Sequence, residues 1–158
     1  MRFLIDTHCW LWAVRTPDRL SRKAIAMIES ADHKVVLSVV STLEIAIKVS
    51  IGKLQLPEPA DDFVYSQMAV LSMTSLPVYL THSLRVSELP LHHRDPFDRL
   101  LVAQSQIERM PLMTADEAIA EYDIDIIWAG RGKAPRRKPS PSRRIRPPWP
   151  RSPIRARN

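Results

Sequence analysis

Along the first 130 residues, short apolar runs alternate with longer segments whose apolar residues recur at helical spacing. Arg2 to Ile5 and Val35 to Val39 read as strands covered on both faces, because they lack the polar alternation of a half-exposed strand. Between them, Ala24, Ile25, Met27, Ile28 and Ala31 mark one face of a helix that begins at Ser21, which makes a βαβ unit. Ser41 to Ile51 reads as a second helix stopped by Gly52, followed by an extended connection through KLQLPEP. Asp61 to Met73 and His82 to Leu89 read as further helices around a short strand near Leu76 to Leu80, a strand that Pro77 weakens. Phe97, Leu100, Leu101, Ala103 and Ile107 mark another helical face. Pro111 to Thr114 and Asp125 to Trp128 then read as strands around a helix from Asp116 to Tyr122. This alternation predicts an α/β domain of three α/β/α layers with a short parallel sheet.

A chain of 158 residues suffices for one domain with a real core and is short for two. No segment has the eighteen or so unbroken apolar residues of a membrane helix, and MRFLIDTHCWLW lacks the pattern of a signal peptide. The expectation is a cytoplasmic protein with no membrane association. Cys9 is the only cysteine, so an internal disulfide is excluded, and its apolar surroundings (CWLWAV) predict a small buried residue rather than a catalytic thiol.

The net charge of +6 divides sharply along the chain. Residues 1–130 hold 12 Lys and Arg against 17 Asp and Glu, a net of −5, whereas residues 131–158 hold 11 Lys and Arg and no acid, a net of +11. Seven of the 14 prolines also lie in that last stretch. It therefore reads as a disordered Arg/Pro-rich tail following a domain of residues 1–130.

Four acids stand at predicted strand ends or in first helical turns: Asp6, Glu44, Asp98 and Asp116. Each has a structural explanation of its own. Asp6 and Asp116 suit helix caps, and Glu44, three residues after Ser41, suits a capping box. Asp95 suits an N-cap before Pro96, with Asp98 at the positive end of the helix dipole. Taken together they suggest more, because ligands of open α/β sheets bind outside the carboxyl ends of the strands where strand order reverses. Two carboxylates ~4 Å apart repel by roughly 4 kcal/mol at an effective dielectric of 20, so four on one rim call for cations. Arg99 is the nearest basic residue in the sequence pattern. Oxygen-only ligands select hard ions, which points to Mg2+ or Mn2+.

Other features carry less. His92 and His93 read as residues of a solvated loop beside Pro90, and Trp10, Leu11 and Trp12 as core, with nucleobase stacking as a minor alternative for them. With Gly52, Gly130 and Gly132 as the only glycines, no Gly-rich phosphate loop exists.

Three stretches, LIDTHCWLW, SVVSTLEIAIKVSIGKLQLP and HRDPFDRLLVAQ followed by MTAD, resemble the PIN-domain ribonucleases, most closely the VapC-type toxins of toxin–antitoxin pairs. The resemblance covers residues 1–130 and implies a PIN-like fold. It places the family's acidic, metal-binding and catalytic quartet on Asp6, Glu44, Asp98 and Asp116, with Asp95 as a helper and the hydroxyls of Thr7 and Thr114 orienting water or phosphate. The activity implied is Mg2+- or Mn2+-dependent hydrolysis of RNA, one ion activating water and another stabilising the departing 3′ oxygen. It further implies a homodimer silenced by a cognate antitoxin that offers an arginine to the acidic site. The tail lies beyond the usual end of such domains and reads either as a nucleic-acid arm or as a translated accident such as a frame change. A non-catalytic nucleic-acid-binding module working through the tail is the alternative function. A phosphotransfer receiver or phosphatase is disfavoured, because no lysine occurs between Lys53 and Lys133.

Overall fold

The computed structural model describes residues 1–135; the expected tail therefore falls, from residue 136 onward, outside the described residues. The elements run β1 (Arg2–Ile5), α1 (Thr7–Arg15), α2 (Arg22–Glu29), β2 (Lys34–Ser38), α3 (Val39–Ser50), α4 (Ala60–Val70), β3 (Thr74–Leu76), α5 (Leu80–Arg85), α6 (Pro96–Glu108), β4 (Leu112–Thr114), α7 (Glu117–Ala120) and β5 (Ile126–Trp128). Short 3-10 turns occupy Pro17–Arg19 and Val86–Glu88. The strands form one parallel sheet in the order β3-β2-β1-β4-β5. The chain builds outward from β1 to β3 and then returns to place β4 on the other side of β1. Strand order thus reverses between β1 and β4, and a crevice belongs at the carboxyl ends of that pair.

Alternate residues of each strand feed the two faces, as the pleat requires. Phe3, Ile5, Val35, Leu37, Met113 and Ile127 face α1, α2 and α4 through Trp10, Ala24, Ile28, Phe63 and Val64. Leu4, Val36, Leu76 and Leu112 face α6 and α7 through Leu101, Val102 and Ile119. The three layers predicted from the pattern are therefore present. Trp10 is fully buried and meets Phe63 edge-on at 6.0 Å, as a core residue, whereas Trp12 is half-buried with the Arg19 guanidinium 4.6 Å from its ring centroid. Cys9 is fully buried, and burial pushes its thiol well above the ordinary range. No helix among the described residues is long and apolar enough to cross a membrane.

Several boundaries differ from the pattern, α4 ending at Val70 rather than Met73 and α5 running Leu80–Arg85 rather than His82 to Leu89 among them, and two have a plain local cause. The third strand spans Thr74–Leu76, pairing with β2 through Val36↔Thr74, Leu37↔Ser75 and Ser38↔Leu76, and so precedes the predicted Leu76 to Leu80. Pro77 has no N–H to extend the ladder, and its carbonyl accepts instead from Gln104 Nε2 at 3.1 Å. Helix α3 starts at Val39 rather than Ser41, because Ser38 is its cap: Ser38 Oγ accepts from the Val40 N–H at 3.0 Å. At the far end, Gly52 at φ 71° turns the chain out of α3.

Candidate active site

The carboxyl ends of β1 and β4 each carry predicted residues of the site. Asp6 follows β1 and caps α1, its Oδ1 accepting from the His8 N–H at 3.2 Å. Its Oδ2 accepts from Thr114 Oγ1, at the end of β4, at 2.8 Å. Thr114 Oγ1 in turn accepts from the Asp116 N–H at 3.0 Å, so one hydroxyl joins two of the predicted acids across the switch in strand order. Asp116 caps α7, its Oδ1 receiving the Ala118 and Ile119 N–H groups at 2.7 and 3.2 Å. Asp98 lies in the first turn of α6, one turn after its Asp95 cap, and Glu44 lies on the inward face of α3. Asp6, Asp98 and Glu44 are buried, at 1%, 8% and 6% exposure, and Asp116 is half-buried.

Burying that much negative charge has a measurable consequence at Asp98. Its carboxyl is pushed up to about 7, first by desolvation and then by the Asp6 charge, with Asp95 and Glu44 adding and His93 opposing. Asp6, Glu44 and Asp98, which come from three separate segments, are therefore near enough to act on one another. His8, beside Asp6 with Nδ1 3.8 Å from Oδ1, is held above its ordinary value chiefly by that carboxylate, with burial working the other way.

Basic groups that the sequence did not reveal sit among these acids. Lys48 Nζ lies 2.5 Å from Glu44 Oε1, so Glu44 pairs one helical turn forward instead of closing a capping box with Ser41. Ser41 lies inside α3 as a consequence of the earlier helix start, and its buried hydroxyl has no partner. His93, expected in solvent, is largely buried, with Nε2 3.3 Å from Asp98 Oδ2 and 3.5 Å from Asp116 Oδ2. Arg99 does not reach the acids. Its guanidinium donates to the carbonyls of Pro90, Val86 and Leu89. The signals for Lys48 and His93 were a four-residue spacing and proximity to Asp95, both of which also describe ordinary surface residues.

The expected helpers divide. Asp95 Oδ1 caps α6 by accepting from the Phe97 N–H at 2.8 Å, and the Asp95 N–H donates to His93 Nδ1 at 3.0 Å. Thr114 is engaged with Asp6, whereas the Thr7 hydroxyl is buried without a partner among the described residues.

As donors, these carboxylates suit a hard divalent cation, since all offer oxygen and their mutual repulsion is what an ion relieves. Glu44 Oε2 is buried with no hydrogen-bond partner among the described residues. Among the described residues, however, no three His, Cys, Asp or Glu side chains form a ready cage for an ion. Lys48 and His93 take carboxylate oxygens that an ion would share.

Comparison with solved structures finds the same architecture at low identity. The crystal structure of VapBC2 from Rickettsia felis bound to a DNA fragment from their promoter superposes with a TM-score of 0.60 at 12% identity, over 82% of this chain and 99% of that one. FitAB bound to an IR36 DNA fragment gives 0.53 at 15% identity, over 80% and 94%. FitAcB from Neisseria gonorrhoeae gives 0.52 at 16%, over 80% and 96%. No curated protein sequence matches the chain. The PIN domain family model matches residues 3–125, from β1 to the loop before β5, and by that match the chain belongs to the PIN-domain family.

Proposed function

We propose that this protein is a Mg2+- or Mn2+-dependent endoribonuclease, the toxin of a toxin–antitoxin pair, acting in the cytoplasm as a homodimer that a cognate antitoxin silences. The observation that carries the reading is the gathering of Asp6, Glu44 and Asp98 from three segments at the switch in strand order, with Glu44 Oε2 left without a donor among the described residues. Membership in the PIN-domain family supports nuclease chemistry. The likeness of the fold to VapBC2 and FitAB, each captured with DNA, supports a life in partnership with an antitoxin.

Asp6, Glu44, Asp98 and Asp116 would hold the cation, which when bound supplies Lewis acidity toward water and phosphate oxygens. The chain's own contribution is placement. Thr114 fixes the rotamer of Asp6 and the backbone of Asp116 together, and α7 fixes Asp116 through two backbone amides. The burial of Asp6 and Asp98 thins the water around them and strengthens every charge interaction at the reacting phosphate. An antitoxin arginine would meet the same unbalanced carboxylates that attract the ion.

Cleavage of total RNA with mapped ends tests the reading. The Asp6→Asn and Asp98→Asn proteins should fold and fall to the uncatalysed background in Mn2+. Full activity in either variant refutes the assignment.

A further inference from the structure

We propose that His93 is a positioning residue of the carboxylate site, its Nε2 edge standing against both Asp98 and Asp116 and so setting two of the carboxylates that would hold a divalent cation. The inference rests on the metal-dependent reading above and adds a residue to it.

The two acids arrive on different elements, Asp98 in the first turn of α6 and Asp116 at the β4–α7 junction. Among the described residues, His93 is the side chain within 3.5 Å of a carboxylate oxygen of both. The orientation of its ring is fixed by the backbone. The Asp95 N–H donates to Nδ1 at 3.0 Å, which makes Nδ1 the acceptor and leaves the ring proton of the neutral imidazole on Nε2, facing the acids. The loop that carries it is fastened in turn. The His93 N–H donates to Tyr122 Oη at 3.0 Å, and Tyr122 is fully buried. Arg99 donates to Tyr122 Oη at 3.3 Å and to the Pro90, Val86 and Leu89 carbonyls at 2.8, 2.8 and 3.2 Å. Arg99 thus spends these donors on the segment that presents His93.

The imidazole N–H edge, 3.3 and 3.5 Å from the two carboxylates, offsets part of their repulsion before any ion arrives. Each carboxylate oxygen has two lone pairs, so this contact leaves capacity for a cation. Groups that orient metal-binding carboxylates in this manner typically contribute about 10- to 100-fold to metal affinity.

Two substitutions separate the donor from the loop. His93→Asn keeps an amide oxygen near the position of Nδ1, able to accept from the Asp95 N–H, and places no donor at the position of Nε2. His93→Gln extends an amide N–H toward the Nε2 position. Mn2+ would be titrated calorimetrically into the full-length wild type, both variants and Asp98→Asn, with folding followed by circular dichroism in EDTA. His93→Asn should weaken Mn2+ binding by about tenfold or more, and His93→Gln should recover most of that loss, with both folded as the wild type. Unchanged or tighter binding in His93→Asn overturns the proposal, and so does equal weakening in the two folded variants. If the wild type binds Mn2+, Asp98→Asn loses it and His93→Asn retains it, only the role of His93 fails. If the wild type binds no Mn2+, the metal-dependent reading fails and this role falls with it.

Discussion

Burial and the neighbouring Asp6 lift the Asp98 carboxyl from 3.8 to about 7, which ties the stability of the metal-free protein to pH. Because the folded state holds this proton more tightly than the unfolded chain, the group is neutral in its effect below about pH 4. Stability is then lost progressively as pH rises from about 4 through about 7, by an amount on the order of 4 kcal/mol. In EDTA, the melting temperature should therefore fall by several degrees across this window, and Asp98→Asn should flatten the fall while removing the metal response. A wild-type melting curve with no slope in this window that Asp98→Asn removes would refute the linkage. A side chain so placed costs the fold stability in exchange for something else, which is how functional carboxylates behave. The positions of Asp6, Asp98 and Asp116 were legible because strand ends and helix starts can be read from pattern, whereas Glu44 lies in the second turn of α3 once the helix starts at Val39. Lys48 and His93 were not legible. A lysine four residues after a glutamate is the commonest surface pair on a helix, and the contacts of His93 join residues that only the packing of α6 against the β4–α7 junction brings together.

Helix α3 serves two surfaces at once. Glu44 and Ile45 point inward, while Val39, Leu43, Ile47 and Ile51 lie exposed at four-residue spacing along one stripe. Gln104 bonds both Ser38 Oγ and the Pro77 carbonyl, which sets the start of α3 beside the segment carrying exposed Val78, Tyr79 and Leu80. An apolar stripe of this kind on a lone surface marks an interaction site, and a helix face can pack on its own twofold copy. If the proposed homodimer uses it, Leu43→Glu combined with Ile47→Glu should yield a monomer by light scattering with unfolding shifted by no more than about 0.5 kcal/mol per substitution. A variant that remains dimeric places the interface elsewhere. The start of α3 differs from the sequence pattern for a local reason. Val39 and Val40 follow β2 as further β-branched residues, so the pattern alone extends the strand to Val39 and starts the helix at Ser41. The Ser38 cap overrides that local preference. The third strand was displaced for the complementary reason: Pro77 ends a ladder, whereas the sequence pattern had placed the strand across it.

At the scale of the whole chain, 130 residues of net −5 are followed by 28 of net +11, and this division allows the two functional readings carried from the sequence to be tested apart. Backbone order reaches the end of the acidic part: the Ala129 N–H donates to the Thr114 carbonyl at 2.8 Å, and the Ala129 carbonyl accepts from the Ser21 N–H at 2.8 Å. Truncation after Gly130 therefore leaves every strand and every site carboxylate in place. A polyanionic RNA gains little from an acidic surface, so sequence-blind affinity should belong to residues 131–158, with each phosphate contact contributing a slope of about −0.7 in log affinity against log salt for single strands. The truncated protein is expected to keep Mn2+-dependent cleavage at its low-salt level and to lose the steep salt dependence of RNA binding. A cleavage assay and a binding titration on both proteins, at low and high salt, read the two properties separately. If cleavage instead rises on truncation, the cationic segment competes with the cation for the acidic site. If cleavage disappears while circular dichroism shows an intact fold, the activity depends on the basic segment, and the carboxylates gathered by β1, α3, α6 and β4 do not suffice for it.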